Sequence, residues 1–467
     1  MLTEMTEGKP WRLIFNFTLP MLAGNVFQQL YNTVDAIIVG RYIGPNALAA
    51  VSTSFPVIFL LISFVFGLTM GSGIVISQFY GAGKIEQMRR ATSTSLIFQM
   101  CCAAVMSVVG LLISEPLLHM MQVPPDIMVD SLAYMQIYFM GLVFVFAYNI
   151  LAATLRSLGD SRTPLFFLIV SSILNIILDL FFIIVLQWGI AAVSWATVIS
   201  QAIATLLCYF YIVRRIPLLA FGFHDLVFDK EILWSTIRIG LPSSTQQVVV
   251  SLGMMVVQGL VNGFGSITMA AYAAATRIDS FATMPMMNFG QALATYTGQN
   301  VGAWRIDRIK EGLKATLWMS LVTCIIMSLV VFTFGPNLIS LFLSGDASSE
   351  VDPAELQAII TQGVDYVMTV TMFYIIFSLS AAINGLLRGA GDTMTPMVSS
   401  FLNLGLRVAV AYFLSGIPEI GYRGIWWSIP CGWAIGALVP LIRYLSGTWQ
   451  QSARQRYEGM MLLTGKS

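Results

Sequence analysis

The chain carries one apolar run after another, each about the 20 residues that an α-helix needs to cross a bilayer. Twelve such runs begin near Leu13, Ala47, Thr92, Ser131, Pro164, Gly189, Ile232, Ile267, Leu313, Gln362, Thr395 and Gly421. That succession leaves room for little except an all-α membrane protein. Composition agrees: 57% of the 467 residues are hydrophobic and 10% are charged, against about a quarter charged in soluble domains. The net charge of +1 offers no bulk attraction to nucleic acid. The bilayer is the expected partner.

An even number of spans places both termini on one side, and the bases say which. Lys84, Arg89, Arg90, Arg156, Arg162, Arg214, Arg215, Lys230, Arg305, Arg308, Lys310 and Arg388 fall in one set of loops. The opposite loops hold Asp126, Asp130, Asp346, Glu350, Asp352 and Glu355, with Arg41 and Arg423 as the chief bases. Positive charge stays in the cytoplasm, so both termini are expected there, in a multi-pass protein of a prokaryotic plasma (inner) membrane. The start, MLTEMTEGKPWRL, has acids before its first bases and no small-residue cleavage site, unlike a signal peptide.

Several chemistries find no support. The five cysteines lie in apolar runs without metal-ligand spacing and read as small buried hydrophobes. His119 and His224 are isolated, and GAGK at Gly81 lacks the Ser or Thr of a phosphate-binding loop. No enzyme, no cofactor and no ATP hydrolysis is expected.

The longest basic connection, Arg214 to Glu231, divides the spans six and six. The expected organisation is an N-lobe over 1–213, a cytoplasmic loop over 214–231, a C-lobe over 232–446 and a cytoplasmic tail over 447–467. The halves repeat one another. GPNALAAV at Gly44 resembles GSITMAAY at Gly265, and SQFYGAG at Ser77 resembles GQNVGAW at Gly298. LRSLGDSRTP at Leu155 matches LRGAGDTMTP at Leu387, an offset of 232 that also pairs Gly189 with Gly421 and Trp195 with Trp427. Halves with even span numbers are parallel repeats about an axis along the membrane normal, which suits two pseudo-symmetric six-helix lobes rocking around a central cavity.

Against this symmetry two acids stand out. Asp35 lies in LYNTVDAIIVG and Asp179 in SILNIILDLFFIIVL, and neither has a Lys or Arg within five residues. The repeat sets Asp35 opposite Val257, Asp179 opposite Ala411, Asn175 opposite Arg407 and Thr197 opposite Ile429. The fold therefore needs none of these side chains, since its other copy lacks them. A carboxylate at a helix centre costs about 2.5–3.5 kcal/mol on insertion scales, so it is kept for function. Asn175 and Asp179, four apart, share a helix face. With Asp35 and Thr197 they offer hard oxygens from three helices, suited to Na⁺, while repulsion between two nearby carboxylates also suits them to hold H⁺. The alternative is a polar cluster gluing helices together.

Together these stretches resemble the multidrug and toxic compound extrusion (MATE) family of cation-coupled antiporters over nearly the whole chain. The resemblance rests on LP…QQLYNTVDAIIVGRYIGPNALAAVS, the twin LRxxGDxxTP loops, LNIILD in the fifth span and AAVSWAT in the sixth, in that order. It implies export of amphipathic, often cationic organic compounds in exchange for H⁺ or Na⁺, by a monomer. It implies a cation site at Asp35, Asn175, Asp179 and Thr197, a first-span kink at Pro20, and cavity residues Gln28, Tyr31 and Asn149. Two departures stand. Ala152 occupies a fourth-span position that is asparagine in some members, and the C-lobe carboxylates of the NorM-like branch have no evident counterpart. That favours a DinF-like arrangement with coupling confined to the N-lobe. A flippase for lipid-linked oligosaccharides, from the same superfamily, is the alternative; it would call for more cavity cations than this chain holds.

Other residues fill in the expected cavity. Met255 in GMMVV and Met287 in MPMMNFG supply soft, adaptable side chains that suit varied ligands or simple core packing. Arg407, deep in LNLGLRVAVAY, is expected to snorkel or to face a carboxylate, carbonyls or the cavity. There it would attract acidic substrate groups, mimic a bound cation, or serve as a structural partner. Arg277 and Asp279 in TRIDSF are expected to pair with each other or a neighbour.

Overall fold

Proline and glycine punctuate the helices. In the computed structural model, which describes residues 3–219, 226–343 and 352–464, four α-helices begin with proline: α1 (Pro10–Ile38), α2 (Pro45–Gly81), α4 (Pro125–Ser157) and α10 (Pro353–Thr371). A missing N–H costs nothing there, because the first turn has no partner for it. His224, Asp346 and Glu350 lie outside the described residues. The other helices are α3 (Ile85–Met120), α5 (Arg162–Leu180), α6 (Ala191–Arg215), α7 (Lys230–Asn262), α8 (Ser266–Gly302), α9 (Ile306–Leu343), α11 (Tyr374–Gly389), α12 (Met394–Ser415), α13 (Arg423–Leu445) and α14 (Trp449–Thr464). No strand occurs among the described residues.

The twin LRxxGDxxTP loops are helix-stop, helix-start devices. Gly159 and Gly391 take φ of 80° and 85°, a left-handed backbone that ends α4 and α11. The following acid caps the next helix. Asp160 Oδ1 accepts the Thr163 N–H at 3.0 Å, and Asp392 Oδ1 accepts the Thr395 N–H at 3.2 Å. In the second copy Arg443 also pairs with Asp392 at 2.7 Å.

Among the described residues, nine helices are long and apolar enough to cross a bilayer, and the pair α10 and α11, bent by 51°, makes a tenth if taken as one span. Two more, α1 and α8, have the length, 29 and 37 residues, but carry more polar side chains. These complete the twelve runs read from the sequence. The two least apolar spans are the ones that hold Asp35 and Asp279.

Contacts divide the chain into two compact units, one built on Leu19–Ser244 and the other on Thr245–Glu458, with Thr6–Thr18 grouped with the second. The divisions fall inside α1 and α7, each within two residues of its internal proline, Pro20 and Pro242. Both helices remain continuous through those prolines.

In the first unit α4 is the hub, packing on α2, α3 and α6, while α5 packs on α6. Its side chains Phe139, Leu142 and Phe146 are fully buried. The second unit repeats the plan: α8 and α9 pack on α10 and α11, α11 on α13, and α12 on α13. Small residues allow close approach there. A Cβ on Gly385 would strike the Gly290 carbonyl, so α8 and α11 meet backbone to backbone. The difference between units is that straight α4 has the bent α10–α11 as its counterpart. The segment after 447 folds as α14 and buries Trp449 and Ala453.

Candidate functional site

The first unit gathers the isolated acids. Asp35 lies in the last turn of α1, and Asn175 and Asp179 lie one turn apart at the end of α5. Each of these helices continues into a π-helical turn, Val39–Ile43 after α1 and Phe181–Val185 after α5. The two turns touch. Such wide turns are rare, and they recur at functional sites because they re-aim the side chains beside them. Nothing in the residue pattern announces them.

Burial there is deep: Asp179 is 0% exposed and Asn175 is 2% exposed, while Asp35 is half-buried. The Asn175 amide donates to Thr197 Oγ1 on α6 at 3.4 Å, and the Thr197 hydroxyl donates to the Val193 carbonyl at 3.0 Å. That leaves Asn175 Oδ1, Asp35 Oδ1 and both Asp179 carboxylate oxygens buried with no donor. The two carboxyl groups approach closely enough for a hydrogen bond between them once one carries a proton. None of the ion pairs among the described residues involves either acid.

Four buried oxygens that no donor of the described residues reaches concentrate negative charge there. An uncompensated buried charge costs several kcal/mol, so a cation or a proton is what the cluster calls for. The donor set is carboxylate, amide and hydroxyl oxygen, which fits a hard ion such as Na⁺ as well as H⁺. No group of three or more His, Cys, Asp or Glu suited to a metal ion occurs among the described residues.

Tyr31, one turn before Asp35, and Tyr134 on α4 lie within electrostatic range of both carboxylates. Tyr138, one turn beyond Tyr134, adjoins Tyr31. Neither α4 tyrosine was expected from sequence. Their one signal is the four-residue spacing in YMQIY, which reads equally well as core.

The remaining expected residues are not drawn into this cluster. Gln28 is exposed on α1, and the Asn149 amide donates to the Val145 carbonyl of its own helix at 2.8 Å. Met255 and Met287, on α7 and α8, are 53% and 52% exposed. Ala152, the departure in the fourth span, is buried.

Arg407 on α12 lies in a second polar cluster, within the second unit. Its Nε is buried without an acceptor, and its guanidinium faces the Tyr272 hydroxyl and lies within electrostatic range of Asp279. Asp279 Oδ1 accepts a hydrogen bond from the Tyr374 hydroxyl at 3.0 Å. Tyr374 is the first residue of α11, at the bend. Beneath them Tyr272 stacks on Trp426 at 5.6 Å. The expected Arg277–Asp279 partnership does not form: Arg277 is exposed, since residues two apart on a helix point away from each other. Asp279 pairs with Tyr374 instead.

Comparison with known proteins decides the family. The MatE family model matches twice, over residues 20–181 and 242–413, once in each half of the chain. The chain belongs to the MatE family. It is a membrane transporter rather than an enzyme, and the two matches begin at the paired prolines Pro20 and Pro242. Among relatives, the probable multidrug resistance protein YoeA of Bacillus subtilis is 31% identical over 96% of this chain and 97% of that protein. The probable multidrug resistance protein NorM of Thermotoga maritima is 23% identical over 94% of this chain and 93% of that protein. Among solved structures, a MOP-superfamily transporter from Pyrococcus furiosus superposes with a TM-score of 0.88 at 23% identity, covering 96% of this chain and 98% of that one. That MatE-type likeness establishes the twelve-helix fold.

Proposed function

We propose that this MatE transporter exports amphipathic organic compounds, drugs and organic cations among them, in exchange for H⁺ or Na⁺ moving inward across a prokaryotic plasma membrane. The relatives named for multidrug resistance support the substrate class. The coupling reading is carried by one observation, the four buried oxygens of Asp35, Asn175 and Asp179 that have no donor.

The mechanism follows from charge. Empty, the cluster holds two carboxylates that repel. A cation or proton entering from outside cancels one of the two negative charges, replaces their repulsion by attraction to a shared ion, and draws the ends of α1 and α5 together through their touching π turns. Rearrangement of α1 then favours release of substrate outward, and loss of the ion to the cytoplasm resets the cluster. One elementary charge crossing the membrane potential supplies about 2.3 kcal/mol per 100 mV. The protein works as a monomer with both termini cytoplasmic, its two lobes being the repeats at 1–213 and 232–446. Gln28, Tyr31 and Asn149 in the first unit, and Met255, Met287 and Arg407 in the second, are the residues assigned to substrate contact, and Pro20 lets α1 bend.

Efflux of a fluorescent organic cation from proteoliposomes, with pH and sodium gradients imposed independently, tests the proposal. Acceleration by an inward gradient of one ion is the expected outcome, and it should vanish in Asp35→Asn. Efflux indifferent to both gradients would sink the coupling reading.

A further inference from the structure

Lys310 and Lys314, four residues apart on α9, project from one helix face. Both are exposed. Leu317, Trp318 and Leu321 continue the same face into the apolar part of the helix, and Tyr444 from the last turn of α13 closes the far side. Together they line an open recess of about 290 Å³ in which no carboxylate takes part. From Lys310 to Leu321 the face runs about 16 Å at the rise of an α-helix. Along it the two lysines, with buried Leu313 between them, give way to an apolar and aromatic stretch of Leu317, Trp318 and Leu321, with the Tyr444 phenol beside it.

That order matches one ligand class. Ammonium groups sit where phosphates lie, Trp and Tyr prefer the boundary between headgroups and hydrocarbon, and leucines meet acyl chains. The open side of the recess argues against a drug-sized molecule, since such ligands have most of their surface enclosed by the pocket. The recess does admit a glycerophosphate with its first methylenes, the rest of each chain lying in the bilayer. A lone snorkelling lysine needs no concave floor, but here two share one.

We propose that this recess is a binding site for an anionic phospholipid. Its phosphate would contact Lys310 and Lys314, and the start of one acyl chain would run along Leu317, Trp318 and Leu321. The recess lies at the basic ends of α9 and α13, so the lipid belongs to the cytoplasmic leaflet under the positive-inside reading. The proposal is independent of which ion drives transport.

The test uses the full-length protein in phosphatidylcholine vesicles holding a small fraction of brominated lipid, either phosphatidylglycerol or phosphatidylcholine. The quenching assigned to Trp318 is the difference between the native protein and Trp318→Phe. Brominated phosphatidylglycerol should quench Trp318 preferentially, and Lys310→Gln with Lys314→Gln should cut that preference about 5-fold per lysine. Equal quenching by the two lipids overturns the proposal, as does a preference that survives both substitutions. If the double variant folds poorly, a salt series on the native protein decides: the preference must weaken with ionic strength, and insensitivity overturns it. Inorganic phosphate at millimolar concentration should not displace the lipid; displacement would assign the recess to free phosphate instead.

Discussion

Replacing Asp179 with Asn probes the site with two effects of opposite sign. Asp179 is 0% exposed and both its carboxylate oxygens lack donors. Asparagine has nearly the same volume and brings an N–H₂ that can donate to the neighbouring Asp35, so the fold should survive. Two unit charges about 4 Å apart interact by about 4 kcal/mol at an effective dielectric constant near 20. Removing the Asp179 charge therefore weakens the hold on a cation by up to about three powers of ten, at 1.4 kcal/mol per decade. The same change removes the repulsion between Asp35 and Asp179 when the site is empty. The ion-free protein should thus become more heat-resistant while gradient-driven efflux falls to the passive rate. Native protein should gain thermal resistance from the coupling ion, by about 2.7 kcal/mol at one hundred times its dissociation constant, and Asp179→Asn should gain none. Thermal unfolding with and without the ion, beside proteoliposome efflux, reads both effects. Efflux above half the native rate in a well-folded Asp179→Asn would refute the reasoning. So would a variant that unfolds more easily without the ion, because the empty cluster would then not be under electrostatic strain.

Two further predictions concern the second unit. Arg407→Met strips the nearby cation from Asp279 and should destabilise the fold by about 1–3 kcal/mol; adding Asp279→Asn should recover most of that loss, since the Tyr374 hydroxyl can still donate to an amide oxygen, and a four-member thermal-unfolding cycle measures the coupling. Gly385→Leu should abolish stable protein because its side chain meets the Gly290 backbone, whereas Gly259→Ala, with open space around it, should stay within about 0.5–1 kcal/mol of native; size-exclusion profiles of the two variants check both.

Span number, repeat and lone acids could be read from the chain because each depends on local pattern. Twenty apolar residues and a carboxylate without a nearby base are visible in a short window, and the repeat shows when two such windows 232 residues apart are compared. What escaped the reading depends on distant parts of the chain. Tyr374 and Asp279 are 95 residues apart in sequence, and nothing near either one names the other. Tyr134 and Tyr138 sit in an apolar run where aromatic residues are ordinary core. The bend between α10 and α11 falls in TVTMFYII, without proline or glycine, so no breaker marks it. The π turns after α1 and α5 touch each other, a tertiary contact that residue propensity does not record.

The symmetry of the scaffold makes the asymmetry of its chemistry informative. Both units use the same helix packing and the same GD caps, so identical side chains would have been tolerated in both. Instead, the position of Asn175 is held in the second copy by Arg407, and that of Asp179 by Ala411. The first copy is left with four oxygens that need a positive partner. The second has its own fixed cation beside an acid that already accepts a phenol. A tethered guanidinium cannot be exchanged for an ion from solution, whereas none of the ion pairs among the described residues gives the first cluster a fixed cation. That contrast supports the proposal that coupling uses the first unit, at the buried oxygens of Asp35, Asn175 and Asp179.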